Sequence, residues 1–195
     1  PVAAASIAQV HRAKLVSNGE DVAVKVLRPG IENAFRKDID AFYFAARMVE
    51  VLAPGARRLR PLDVIAHFEG VVLGELDLRL ESSAAGEFAT NTNSDEGFQL
   101  PQINWSLSGK NVMTMDWAEG IPAGDNAALD AVGHDRRQIS ERILQLFLSH
   151  ALRDGFFHAD LHQGNIKIAA NGDVIAYDFG IMGRIDEYTL SLIHI

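Results

Sequence analysis

Two short polar motifs near the C-terminal end constrain this chain more than anything else in it: His158-Ala159-Asp160-Leu161-His162-Gln163-Gly164-Asn165 and Tyr177-Asp178-Phe179-Gly180. Between Asn165 and Asp178 lie two apolar runs, Ile166 to Ala169 and Val174 to Tyr177, split by Asn171-Gly172-Asp173. An Asn-Gly turn between such runs signals a hairpin. The order is then loop, hairpin, loop, which brings Asp160, Asn165 and Asp178 to one mouth. Two carboxylates and an amide oxygen are hard ligands of the kind Mg²⁺ takes. An Asp in a loop is most often a turn former, and Asp-Phe-Gly alone says little. Both motifs, in this order and on either side of a hairpin, say much more.

At 195 residues and 48% hydrophobic content, the chain can build one substantial core or two small lobes. No apolar run approaches the length of a membrane span, and no charged-then-apolar leader opens the sequence. A net charge of −8 argues against nucleic acid as a partner, since phosphate backbones need clustered Lys and Arg. The one basic cluster, Arg57-Arg58-Leu59-Arg60, reads as a solvated loop, with acidic phospholipid as an alternative contact. The absence of Cys excludes disulfides and thiolate metal sites and is compatible with a cytoplasmic protein. Both ends read as cut. The sequence opens on Pro1-Val2-Ala3 without Met, and residues 190–195, Leu190-Ser191-Leu192-Ile193-His194-Ile195, match what a transposon end used in library preparation encodes. Native sequence is therefore expected to end near Thr189.

Ile7, Val10 and Leu15 predict a strand over Ser6 to Leu15, turned by Ser17-Asn18-Gly19-Glu20. In Val22-Ala23-Val24-Lys25-Val26-Leu27, period two puts the valines on one face and Lys25 on the other, with Ala23 and Leu27. Taken alone, Lys25 reads as a surface lysine on an edge strand. An amphipathic helix is predicted from Ile31 to Ala53, with Ile31, Phe35, Ile39, Phe42 and Val49 on one side and Pro54-Gly55 ending it. A second long helix is predicted from about Pro61 to Ala89, with Leu62, Ile65, Phe68, Val72, Leu76 and Leu80 mostly core. On one helix Asp77 and Glu81 share a face, and Glu75 is displaced from it. After the loop Asn91 to Gly97, strands are expected over Phe98 to Ile103 and Asn111 to Trp117. Asp135 to Asp154 reads as a buried helix on Ile139, Ile143, Leu144, Phe147, Leu148 and Ala151, closed by Gly155. His158 is expected to orient its loop. His162 has no second His or Cys at ligand spacing, so it too reads as structural.

The pattern H-x-D-x-x-x-x-N followed by D-F-G resembles the catalytic and metal-binding loops of protein-kinase-like phosphotransferases. Where a kinase carries a glycine-rich loop, this chain has Ala3-Ala4-Ala5-Ser6 leading to Gln9-Val10-His11. That loop, the run V-A-V-K-V-L-R-P-G-I, the segment Glu75-Leu76-Asp77 and Glu119-Gly120-Ile121-Pro122 resemble the UbiB/ADCK family of atypical kinases. The resemblance implies a two-lobed α+β protein-kinase-like fold truncated at both ends. Residues 1–117 would be the small lobe with inserted helices at about 31–53 and 61–89, and 118–189 a partial large lobe. It implies that Lys25 contacts the α and β phosphates of ATP or ADP and is held by Glu81. Asp160 would serve the acceptor, and Asn165 and Asp178 would hold Mg²⁺. Ala3, Ala4, Ala5 and Ser6 would cover the phosphates, and the backbone of Asp116 and Ala118 would meet the adenine edge.

For this family the alanine loop further implies a stiffer cover, a preference for ADP and weak or absent protein-kinase activity. The resemblance also implies a role in ubiquinone or related isoprenoid-lipid biosynthesis, with quinone precursors and biosynthetic-complex proteins as partners. The full-length protein would be cytoplasmic and peripheral to, or anchored at, the bacterial inner membrane through segments outside this sequence; a K-x-G-Q extension folding over the active site would lie before Pro1, and further helices with any membrane-spanning tail after the cut. After Gly180 no Ser, Thr or Tyr precedes Tyr188, so activation-loop phosphorylation has no evident site. Two rivals stand beside this reading: a small-molecule phosphotransferase of the aminoglycoside or choline kinase kind, and a non-catalytic nucleotide-gated scaffold.

Overall fold

The computed structural model describes residues 1–193, the side chains of Pro54 and Ile193 apart. It begins with β1 (Ala3–Ala4), β2 (Ala8–Lys14) and β3 (Asp21–Leu27), paired antiparallel in order. The period-two reading of β3 holds: Ala23 and Leu27 are buried, and Lys25 lies between them on the same face. Two helices then pack as a hairpin, α1 (Ile31–Leu52) and α2 (Pro61–Glu75), joined by an exposed 3₁₀ turn that carries Arg57 and Arg58 and leads to Arg60. The buried side of α1 is Ile39 and Ala46, with Ile31, Phe35 and Tyr43 partly covered. Phe42 and Val49, expected on that side, are exposed. Stepping four residues from Ile39 reaches Tyr43, and a 3.6-residue turn carries Phe42 past the contact line.

The single helix expected over 61–89 is two helices. α2 stops at Glu75, and α3 (Leu78–Asn91) starts afresh after Leu76-Asp77. Asp77 is not helical (φ −127°, ψ 92°); its carboxylate caps the new helix by accepting from the Arg79 amide at 3.1 Å. A short side chain that satisfies an otherwise orphan N–H stabilises a helix start more than it does an interior. Asp77 and Glu81 therefore do not share a helix face, and Leu80, expected in the core, is 59% exposed. The new start puts Leu78, Ser82, Ala85 and Phe88 on the buried stripe of α3.

Next come β4 (Phe98–Gln99) and β5 (Val112–Asp116). β5 pairs antiparallel with β3 and completes a four-stranded sheet ordered β1-β2-β3-β5. The strand expected from Phe98 to Ile103 is much shorter and belongs elsewhere. Pro101 cannot donate within a ladder, and Phe98 and Gln99 pair in parallel with Val174 and Ile175, far along the chain. Ile103 keeps only an isolated bridge to Met115.

The rest of the chain is β6 (Ile121–Pro122), α4 (Asn126–Ala131), α5 (Arg136–Ser149), β7 (Phe156–His158), β8 (Ile166–Ile168), β9 (Val174–Ala176), β10 (Met182–Arg184) and α6 (Glu187–Ile193). β8 and β9 form the expected hairpin, with Gly172 in the left-handed region at its turn (φ 89°), and β4 and β6 flank them in a second sheet ordered β4-β9-β8-β6. β7 and β10 pair separately. Helix α5 ends sooner than expected, passing into a π turn over His150–Asp154 before Gly155 closes it with φ 63°. Its buried side is Ile139 and Leu146, whereas Leu144 and Leu148 are exposed. Of the tail expected to be non-native, Leu190 to Ile193 continue α6, and His194 and Ile195 lie outside the described residues.

One aromatic cluster joins the two sheets. Phe88 of α3 is fully buried and meets Phe98, His150, Phe156 and Phe179 edge-on, with ring centroids 5.0–6.4 Å apart. Phe88→Ala removes this hub, and a loss of about 3–5 kcal/mol of stability is expected for a buried Phe. The check is the urea midpoint of unfolding, with the m-value unchanged.

Candidate active site

Lys25 leaves β3 toward α3, and Glu81 sits one turn into that helix, so each is presented by a rigid element. The Lys25 ammonium lies 2.6 and 2.9 Å from the two Glu81 oxygens and 3.3 Å from Asp178 Oδ1. The Lys25 and Glu81 side chains are only 15% and 9% exposed. Burial opposes the ammonium, but two carboxylates outweigh it and Lys25 is held above its ordinary pKa. Burial also pushes the Glu81 carboxyl up, with Lys25 pulling the other way. Asp178 is likewise penalised by burial, yet Lys25 and the Gly180 amide bring it below the ordinary carboxylate range.

Asp178 is held in place by its neighbour. Phe179 is 1% exposed in the cluster around Phe88, so the loop is nailed to the core beside the helix that carries Glu81. Across the same open end of the hairpin, the Asn165 amide nitrogen donates to the Asp160 carbonyl at 3.0 Å and to its carboxylate at 3.3 Å. That commitment leaves the amide oxygen, a hard donor, for another partner. The Asp160 carboxylate is 45% exposed.

Both histidines do positional work. The Asp160 amide donates to His158 Nδ1 at 3.2 Å, which puts the proton of the neutral ring on Nε2. His158 Nε2 is buried and has no hydrogen-bond partner among the described residues, and burial lowers the pKa of the ring. His162 accepts from the Gly164 amide at 2.9 Å and stands 3.6 Å from Asp160.

These residues surround a cleft of about 380 Å³ and an adjoining recess of about 170 Å³. Lys25, Asn165, Asp178 and Ala5 line both. Ala3 and Ala4 line the cleft, as do Asp116 and Ala118 at its far end. Ser6, Glu81 and Asp160 line the recess instead. The alanine turn is fixed from behind, where the Arg28 guanidinium donates to the Ala5 carbonyl at 3.0 and 3.2 Å. A larger groove, about 660 Å³ between α3 and residues 101–105, contains none of the converging lysine and carboxylates. Size therefore does not pick out the site; converging charge does.

Among the cleft residues not anticipated as site residues are Trp117, Lys167 and Tyr177. A signal for Lys167 existed. Ile166 and Ile168 are 2% and 0% exposed, so alternation alone turns Lys167 to the opposite face.

Among the described residues no three His, Cys, Asp or Glu side chains converge as a metal cage. Mg²⁺ bound together with phosphate needs one or two carboxylates and completes its shell with phosphate oxygens and water. The Asp178 carboxylate and Asn165 amide fit that role.

A strand lysine held by a helix glutamate, over a hairpin flanked by H-x-D-x-x-x-x-N and D-F-G, defines a protein-kinase-like fold. Among solved structures the chain is similar to the Rv3197–erythromycin complex from Mycobacterium tuberculosis, with a TM-score of 0.74 and 30% identity over 94% of this chain and 45% of that one. The model for the ABC1 atypical kinase-like domain matches residues 1–194, and the chain belongs to that family. Two curated relatives are named "Probable protein kinase UbiB". The one from Marinobacter nauticus is 39% identical over 189 residues, covering 95% of this chain and 34% of the relative. The one from Xylella fastidiosa is 39% identical over 200 residues, covering 98% and 36%. The chain thus spans about a third of the length of these relatives.

Proposed function

We propose that this domain binds a Mg²⁺-nucleotide, ATP or ADP, and hydrolyses it or transfers its phosphoryl group in support of ubiquinone or related isoprenoid-lipid biosynthesis. The observation that carries the chemical part is the contact of Lys25 with both Glu81 and Asp178 at the floor of a cleft edged by Ala3, Ala4 and Ala5. The biosynthetic part rests on the name shared by the curated relatives. Contact with a bacterial inner membrane and with quinone precursors or biosynthetic proteins belongs to the same proposal. Among the described residues no helix is long and apolar enough to cross a membrane.

In this reading Lys25 spends two of its three N–H donors on Glu81 and turns the third from Asp178, its longer contact, to the phosphates. Asp178 and Asn165 hold the metal ion, which neutralises charge on the phosphate oxygens when bound. Asp160 orients the attacking hydroxyl or water and takes its proton as the new O–P bond forms and the bond to the leaving phosphate breaks. Ser6, in the recess with Asp160 and Glu81, caps the phosphate end, and the backbone of Asp116 and Ala118 meets the base. The lobe boundary at residues 117 and 118 is drawn on the same grounds.

The test is thermal unfolding of the full-length protein with and without Mg-ADP and Mg-ATP. A ligand at one hundred times its Kd adds about 2.7 kcal/mol of stability, a rise of several degrees. A folded protein that shifts with neither nucleotide overturns the reading.

A further inference from the structure

One charged side chain of the cleft has no task in the phosphate chemistry. Lys167, on β8, carries its ammonium 2.7 Å from the Ala118 carbonyl, 4.8 Å from the centre of the Trp117 ring and 5.7 Å from that of Tyr177. Among the described residues its partners are a carbonyl and two aromatic faces, and no carboxylate pairs with it directly. Burial, and then the nearby Arg12, lower its pKa, against the opposing pull of Glu119. An apolar residue at this position would sit beside the Trp117 and Tyr177 rings at less cost, since a half-buried ammonium gives up hydration that one carbonyl restores only in part. Lys167 also stands at the base end of the cleft, away from Lys25 and the phosphates.

We propose that Lys167 is a base-specificity residue, which selects adenine over guanine by occupying the Ala118 carbonyl and placing a cation beside it. The inference rests on the nucleotide reading above. The edge of adenine that would face Ala118 carries N1 and N3, both acceptors, on either side of a C–H. The same edge of guanine carries N1–H and a 2-amino group, both donors, and these need a carbonyl. Here that carbonyl already accepts from an ammonium, and the guanine donors would face a positive charge. Adenine gains donors near its acceptors, while the two donors of guanine must share a carbonyl that already accepts from an ammonium, and they meet like polarity there. Specificity then comes from what the wrong base is denied as much as from what the right one gains. The rings of Trp117 and Tyr177 hold the ammonium in register by cation–π attraction.

The experiment compares Kd values for Mg-ADP and Mg-GDP in the full-length protein and in Lys167→Met, which keeps most of the length of the side chain and removes its donors. The wild type is expected to prefer Mg-ADP by about tenfold or more, the order that one well-placed polar discrimination supplies. In Lys167→Met that preference should fall by about the same factor, and Lys167→Arg, which can donate to the same carbonyl, should keep most of it. A preference unchanged in Lys167→Met overturns the inference and leaves Lys167 a brace between β8 and the segment after β5. Equal binding of the two nucleotides by the wild type overturns it without any variant. A wild type that binds neither nucleotide removes the nucleotide reading itself, and this inference with it.

Discussion

Asp178→Ala is expected to abolish the magnesium-dependent part of the nucleotide-induced rise in melting temperature, about 2.7 kcal/mol at one hundred times the Kd. The contacts make the result specific. Asp178 is one of three groups around Lys25, and its removal leaves Lys25 paired with Glu81 at 2.6 Å, so no buried charge is orphaned. The aromatic anchor Phe179 stays in the core around Phe88, and the loop should keep its path. What disappears, on the proposed assignment, is the carboxylate that would hold a cation against the phosphates, with Asn165 unable to do so alone. Nucleotide without Mg²⁺ should still produce a small shift in the variant, because Lys25 no longer shares its third donor with Asp178. Unfolding of the unliganded variant at nearly the wild-type temperature is the control. A full Mg²⁺-dependent shift in a folded Asp178→Ala protein would refute the metal assignment.

The parts of this site that could be read in the sequence are those fixed by local rules. The Asn171-Gly172-Asp173 turn dictates the β8–β9 hairpin, and the hairpin brings Asn165 and Asp178 to one end. Alternation in β3 dictates the direction of Lys25. Glu81 is different, since 56 residues separate it from Lys25, and resemblance rather than periodicity singled it out. The structure brings the two together by restarting a helix at Asp77, and that break was not legible. The apolar period runs on from Val72 through Leu76 to Leu80, and nothing in it announces that the Asp77 carboxylate would be stabilised more by capping a new helix than by lying on an old one.

Non-local pairing was equally hidden. Phe98 and Gln99 look like the start of a strand continuing to Ile103, and only the presence of β9 in space assigns them to the second sheet. Helix ends failed for a related reason. Gly155 signals a stop, with its φ of 63°, but the π turn that precedes it is set by burying His150 between Phe88 and Phe98, and that contact joins distant segments. Lys167 could have been read from the alternation of β8. Its place at the cleft is set by Trp117 and Ala118, 49 residues away for the carbonyl it donates to, and no local pattern in β8 signals that contact.

Asp160→Asn is expected to separate binding from chemistry. The substitution is nearly isosteric, and the new amide oxygen can still accept from Asn165, whose nitrogen now lies 3.3 Å from the Asp160 carboxylate. The loop is also held by the Asp160 amide on His158 and by its carbonyl, which accepts from His162 and Asn165, and none of these backbone contacts involves the lost charge. Mg-ADP affinity should therefore stay within a few-fold of wild type. Proton acceptance is lost outright, because an amide cannot take the proton from a hydroxyl or water, and nucleotide hydrolysis or phosphoryl transfer should fall by about 10²–10⁴. The cell supplies the second readout. If phosphoryl chemistry is the biological task, Asp160→Asn should fail to restore a quinone-deficient strain despite normal folding and nucleotide binding. Full complementation by this variant, with its hydrolysis abolished, would transfer the function to nucleotide binding itself. The domain would then be a scaffold in which Lys25, Glu81 and Asp178 serve to sense a ligand and not to turn it over.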